Sequence, residues 1–165
     1  EVKADVIVPV SPEEAFAAVI DLDHADWLPA VRSTRHIGGP RTGAGARYEV
    51  QVGVVGRHLH GILVCREETP PTRAVFELEE GMQLTIMVTV TPVVGGCSVE
   101  LLGRYTVGSG PWGVALQRAS AAPARRELAR AIEQFAARFG RKAPAPAVRP
   151  TRRRRVAAPG GARRG

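Results

Sequence analysis

The chain has 165 residues, with 23 Arg/Lys against 16 Asp/Glu, a formal charge of +7 and two cysteines. That length supports one domain with a real core, two cysteines supply neither a disulfide framework nor a zinc site, and no apolar run reaches transmembrane length. The positive charge belongs to the tail: residues 1–139 hold 14 basic and 16 acidic groups, and the nine Arg/Lys beyond Gly140 meet no acid, so a basic binding face on the domain is not indicated.

No signal peptide is visible at the start as given, although Glu1 stands where Met would begin a nascent chain. A cytoplasmic location is the default expectation, with Cys65 and Cys97 as buried thiols. Val2 to Val8 alternates as a strand, with Val2, Ala4, Val6 and Val8 on one face. Ser11-Pro12-Glu13-Glu14 is a helix start: Ser11 caps, Pro12 takes the first helical position, and Glu14 completes a capping box. Ala15, Phe16, Val19 and Ile20 make its buried face. Asp23 is placed to cap a second short helix, His24 to Leu28, which Pro29 stops.

Six further strands follow. Val31 to Ile37 leads into a Gly/Pro loop, Gly38 to Gly45. Ala46 to Val54 points Tyr48, Val50, Val52 and Val54 one way. Arg57 to Glu67 is less cleanly phased: His58 and His60 share one face, while Leu59, Gly61, Leu63 and Cys65 make the alternative inner face. After the turn Thr69-Pro70-Pro71-Thr72, Arg73 to Glu79 puts Ala74, Phe76 and Leu78 together. Met82 to Thr91 alternates most clearly, with Met82, Leu84, Ile86, Val88 and Val90 on one side. Cys97 to Val107 turns Val99, Leu101 and Tyr105 inward and Arg104 outward.

Pro111 to Phe139 reads as a long helix closed by Gly140. Leu128, Ile132, Phe135 and Phe139 share one face, and Arg126, Arg130, Glu133 and Arg138 can occupy the other. Burying each of those four apolar side chains is worth about 1.5–3 kcal/mol, so the helix needs a partner surface, and the strands are the large candidate. Its first half is alanine-rich, with Trp112 and Leu116 as the bulky exceptions, and Pro123 should kink or divide it. Strict alternation leaves one face of a sheet packed and the other wet. The order strand, two short helices, six strands, long helix therefore gives an α+β fold with helices on one face of an antiparallel sheet.

The run V-I-V-P-V-S-P-E-E-A-F-A-A-V-I-D-L-D-H-A-D-W-L-P-A-V, Val6 to Val31, resembles the START-related SRPBCC, or helix-grip, superfamily. Within it the chain is most similar to the polyketide cyclase/dehydrase branch, supported by G-P-W-G at Gly110 to Gly113 before the closing helix. The resemblance covers residues 2–140. It implies a seven-stranded curved antiparallel sheet around a long C-terminal helix, enclosing a hydrophobic cavity. Members bind lipids, sterols, polyketides, quinones or plant hormones, and some catalyse cyclisation, dehydration or hydrolysis. It brings no universal catalytic motif.

The inner faces and the slim half-helix nominate a ligand-binding set: Trp27, Tyr48, Val50, Val52, Phe76, Met82, Leu84, Ile86, Leu101, Tyr105, Trp112, Leu116 and Ala119. His58, His60, Tyr48 and Tyr105 are the candidate acid/base groups if the protein is an enzyme, against plain solvated or core-edge roles. No metal site, cofactor or Gly-rich phosphate loop is expected. Residues 1–140 form the domain, and residues 141–165 form a disordered Arg/Pro/Ala-rich tail. Arg152, Arg153, Arg154 and Arg155 there offer weak non-specific contact with nucleic acid or an anionic membrane. Three readings follow: a module that binds a hydrophobic small molecule, a cyclase/dehydrase-type enzyme, and an interaction protein working through its tail.

Overall fold

A computed structural model describes residues 1–54, 57–80, 82–106 and 110–140, with the side chains of 54, 57, 59 and 110–120 excepted. The tail expectations for 141–165 therefore lie outside the described residues. The strands are β1 (Val2–Val8), β2 (Val31–Gly38), β3 (Arg47–Val54), β4 (Arg57–Thr69), β5 (Arg73–Leu78), β6 (Gln83–Val93) and β7 (Gly96–Thr106). The helices are α1 (Pro12–Ile20) and α2 (Gly110–Ala137), with a short 3₁₀ turn at Leu22–His24.

All seven strands form one antiparallel sheet in the order β1-β7-β6-β5-β4-β3-β2. β2 to β7 follow one another, and β1 closes on β7, so the chain must cross from one edge of the sheet to the other between β1 and β2. α1 and the 3₁₀ turn carry that crossing, with α1 packed on β6 and β7. Ser11 caps α1, its hydroxyl accepting from the Glu14 N–H at 3.2 Å, and Phe16, Val19 and Ile20 are buried beneath it. The second short helix is reduced to the 3₁₀ turn, and its cap is Asp21 rather than Asp23. The Asp21 carboxylate accepts from the Asp23 N–H at 3.1 Å, which starts the turn two residues earlier than the sequence suggested.

The register fixes one inner face. Val8, Val6, Ala4 and Val2 of β1 stand opposite Cys97, Val99, Leu101 and Gly103 of β7, which stand opposite Pro92, Val90, Val88 and Ile86 of β6. α2 lies across this face, chiefly against β1 and also against β7. It runs through Pro123 without dividing, and after Ala137 the helix tightens into i→i+3 bonds up to Gly140, whose φ of +79° suits glycine. Arg138, expected on the outer face of the helix, donates instead to the Asp26 carboxylate and the His24 carbonyl. It thereby ties the end of α2 to the segment after α1. Among the described residues no helix is long and apolar enough to cross a membrane.

Candidate functional site

Alternation along a strand decides which side chains can reach the space under α2, and the register makes the choice definite. Val50 and Val52 of β3 face inward, opposite Gly61 and Leu59 of β4. Phe76 of β5 stands opposite Ile86 of β6, and Leu84 opposite Tyr105. Between these strands and α2 lies a cavity of about 690 Å³. Its sheet wall includes Val50, Val52, Leu63, Phe76, Leu78, Leu84, Ile86, Val88, Leu101 and Tyr105. α2 contributes Pro123, Ala124, Glu127, Leu128 and Ala131, and the segment after α1 contributes Leu22 and Trp27 to Thr34 apart from Ser33.

The hollow has a local cause. Toward its C-terminus α2 presents Ile132 and Phe135, both buried, with Phe135 fully so. Phe135 meets Trp27 edge-on at 5.1 Å and Phe139 at 5.3 Å, and this aromatic stack fills the gap beneath the helix. About three turns earlier the helix offers Pro123 and Ala124, short side chains that border the hollow together with Leu128. Gly61 serves the same space from the other side. A β-carbon there would come within 2.8 Å of the Glu80 carbonyl oxygen and of Leu78 Cδ1, so only glycine lets β4 pass this close to the β5–β6 turn.

Of the ligand positions nominated from sequence, Trp27, Val50, Val52, Phe76, Met82, Leu84, Ile86, Leu101 and Tyr105 border the cavity. Met82 does so from just ahead of β6. Tyr48 does not border it. It is on the inner face, opposite Leu63, but toward the filled end, where its hydroxyl donates to the Arg41 carbonyl and His36 packs edge-on at 5.4 Å. Burial raises the Tyr48 phenol above its ordinary pKa, with Asp23 adding to the effect. The side chains of Trp112, Leu116 and Ala119 lie outside the described residues.

His58 and His60 also border the cavity, but their imidazoles belong to the other face. His60 is paired with Gln51 and His58 with Gly53, the positions that alternate with inward Val50 and Val52. Both are exposed, and His60 Nε2 donates to Glu49 at 2.9 Å. Arg35 also holds Glu49, through its Nε at 2.9 Å. Arg35 first and His60 second keep the Glu49 carboxyl below the usual carboxylate range. Of the four acid/base candidates, Tyr105 alone combines an inward register with a place on the cavity wall.

Several wall residues escaped the sequence analysis. Leu78 read as inward and Gly61 as part of an alternative face, and both were visible in the alternation. Leu22, Thr34 and Leu128 reach the cavity because tertiary packing brings them there. Thr34, whose hydroxyl donates to the Leu22 carbonyl, pins β2 to the 3₁₀ turn. The indole N–H of Trp27 is buried with no hydrogen-bond partner. Among the described residues no three His, Cys, Asp or Glu side chains converge as metal ligands would.

Residues 1–143 match the sequence profile of a family described as polyketide cyclase / dehydrase and lipid transport. No curated protein matches the chain by sequence. Among solved structures, it is similar to the protein TTHA0849 from Thermus thermophilus, with 20% identity, a TM-score of 0.72, and cover of 84% of this chain and 95% of that one. It is similar to a START superfamily protein from Mycobacterium smegmatis, with 14% identity, a TM-score of 0.63, and cover of 84% and 95%. It is also similar to BexL, a di-domain ARO/CYC protein of the BE-7585A biosynthetic pathway, with 23% identity and a TM-score of 0.59 over 80% of this chain and 45% of that one. At these identities the likeness is one of fold, and the fold is the helix-grip arrangement of a curved antiparallel sheet about a C-terminal helix.

Proposed function

The chain belongs to the polyketide cyclase/dehydrase and lipid transport family, and from that premise we propose that it binds a hydrophobic, lipid- or polyketide-like small molecule between the sheet and α2. The observation that carries this is the cavity itself, about 690 Å³ with mostly apolar walls. Protein interiors normally close to crystal-like density, whereas ligand pockets run to roughly 300–1,000 Å³ and are mostly apolar. A void of this size forgoes the packing that a solid core would gain, and a guest restores those contacts. We propose the nine bordering residues of the sequence-derived set as guest contacts, and Trp112, Leu116 and Ala119 as further contacts from the start of α2.

The test uses N-phenyl-1-naphthylamine, a neutral apolar dye whose fluorescence rises on burial. Wild type is expected to bind it saturably, one per chain. Ile86→Trp, which fills the space from the sheet, is expected to weaken binding at least tenfold while leaving the circular dichroism and cooperative unfolding intact. Ala124→Phe fills it from α2 and serves if the first variant fails to fold. Absence of saturable binding to wild type, or undiminished binding by both folded variants, overturns the reading.

A catalytic role is the second reading, and the position of Tyr105 is what favours it. A phenol on an apolar wall can hydrogen-bond a guest carbonyl and move a proton to or from it. On that reading Tyr105→Phe keeps dye binding and abolishes turnover.

A further inference from the structure

We infer that Gly103 sets the guest specificity of the cavity: the bare stretch of β7 at this position receives a short branch of the guest's hydrocarbon body, so the site selects a branched apolar molecule over its straight-chain isomer. This deepens the binding reading and rests on it. The starting observation is a gap in an otherwise filled row. Val2 of β1, Gly103 of β7, Ile86 of β6 and Phe76 of β5 stand opposite one another in turn, and all four border the cavity. Along β7 itself Gly103 falls between Leu101 and Tyr105, which also border it. Only position 103 of that row lacks a side chain, and its neighbours Val2 and Ile86 stand two strand spacings apart, roughly 10 Å.

The backbone does not ask for glycine here. Glycine inside a strand marks a bulge or bend, a close approach of another chain segment, or a place where a ligand comes near. The pairings of β7 with β1 and with β6 run through residue 103 without a shift in register, and its φ lies outside the left-handed region. A β-carbon at 103 would meet Val2 Cγ2 at 3.3 Å and the Val2 carbonyl oxygen at 4.0 Å and, its chain neighbours apart, no other described atom within 4 Å. That contact with Val2, an inner-face residue, also fixes the direction: a side chain at 103 would enter the hollow. α2 packs on β1 and β7, yet none of its described atoms lies in that range, so the glycine is not making room for the helix. Gly61 is the contrast, because the Glu80 carbonyl oxygen 2.8 Å from its β-carbon position demands glycine there. Leu102 points outward by alternation and still borders the cavity, as main chain beside a missing side chain does. Gly103 is itself buried, so the gap is narrow and suits a methyl-sized branch rather than a ring. An unfilled gap forfeits contacts along its lining. A branched guest supplies them and a straight chain does not.

Displacement of N-phenyl-1-naphthylamine by pentadecanol and by hexahydrofarnesol, the straight and the methyl-branched isomer of one fifteen-carbon alcohol, isolates branching at constant formula and head group. Wild type is expected to bind the branched isomer about tenfold more tightly, the scale of one methyl site filled or left empty. Gly103→Ala puts a methyl group into the gap and is expected to abolish the preference by weakening the branched isomer, with a urea midpoint no lower than that of wild type. Val2→Leu narrows the same gap from β1 and is expected to act in the same direction. If the dye binds but wild type does not prefer the branched isomer, or if the folded variants weaken both isomers alike or neither, the inference is overturned while the binding reading stands. A Gly103→Ala protein that unfolds at much lower urea or not at all cooperatively also overturns it, because the gap would then be closed. If the dye does not bind wild type, the binding reading fails and this inference fails with it.

Discussion

The two ends of the sheet are built from the same kind of strand and finish in opposite states. Toward the β6–β7 hairpin, Val90, Val99 and Cys97 are at most 2% exposed. Farther along the same two strands Leu84, Ile86 and Tyr105 keep part of their surface open and border the cavity. The alternation is equally good at both ends, so the strands do not decide the outcome. The apposed elements decide it. α1, packed on β6 and β7 with Phe16 and Ile20 buried, fills one end together with Phe135, Ile132 and Trp27, whereas Pro123 and Ala124 border the hollow at the other. Stability is therefore expected to concentrate at the filled end and ligand capacity at the hollow one, and each prediction below is aimed at that division.

The largest effect should come from removing the plug. Phe135→Ala deletes a fully buried ring in contact with Trp27 and Phe139, and such truncations cost about 3–5 kcal/mol. Leu84→Ala, on the cavity wall, removes a side chain that is only partly buried and borders existing empty space, so it should cost about 1–2 kcal/mol. Urea unfolding of both variants measures the difference. Equal losses would mean that the two ends are energetically alike and that the division is wrong.

A second prediction sharpens the picture of the filled end through pH. Burial pushes the Cys65 thiol up to about 11 and raises that of Cys97, and both side chains are nearly inaccessible. An unfolded thiol titrates near 8.5. Between that value and about 11, the unfolded chain has released the Cys65 proton while the folded chain still holds it. Folding stability therefore falls as pH rises through the window, by up to about 1.4 kcal/mol per pH unit for Cys65, and is unaffected by this group below it. Denaturant midpoints from pH 8 to 10.5 should show the decline, and Cys65→Ala should reduce it to the part that Cys97 contributes. Ellman's reagent at pH 8 should reach neither thiol in the native protein and both in urea. Rapid native labelling of Cys65 would show that the filled end is not closed.

Much of this was legible in the chain. Periodicity gave all seven strands, the inward residues of β1, β3, β5, β6 and β7, and the partner face of α2, because a period of two against a period near four is a strong signal over this many residues. Two things were not legible. One was position along a strand: Tyr48 and Val50 share a face, yet Tyr48 lies under the Arg41 loop and Val50 borders the cavity, and only the docking of α2 tells them apart. The other was the phase of β4. His58 and His60 alternate as regularly as Leu59, Gly61, Leu63 and Cys65. Gly61, which blurs the apolar side of the pattern, is required there by the close approach of Leu78 and Glu80. Pairing with Val50 and Val52 resolves the phase, and that pairing is a non-local fact.

The smallest expected effect follows from that resolved phase. His60→Gln keeps a polar side chain at an exposed position and removes the imidazole donor to Glu49. Arg35 still holds Glu49, and a surface pair of this kind is worth about 0–1 kcal/mol. The variant should therefore unfold within about 0.5 kcal/mol of wild type and bind N-phenyl-1-naphthylamine unchanged, because the residue borders the hollow while its ring faces away from it. Its contrast is Tyr105→Ala, which alters the wall directly and should change dye affinity with the same assay. If His60→Gln alters dye affinity as much as Tyr105→Ala does, the imidazole reaches the guest, β4 is phased the other way in solution, and the separation between a chemically quiet outer face and a receptive inner one no longer holds.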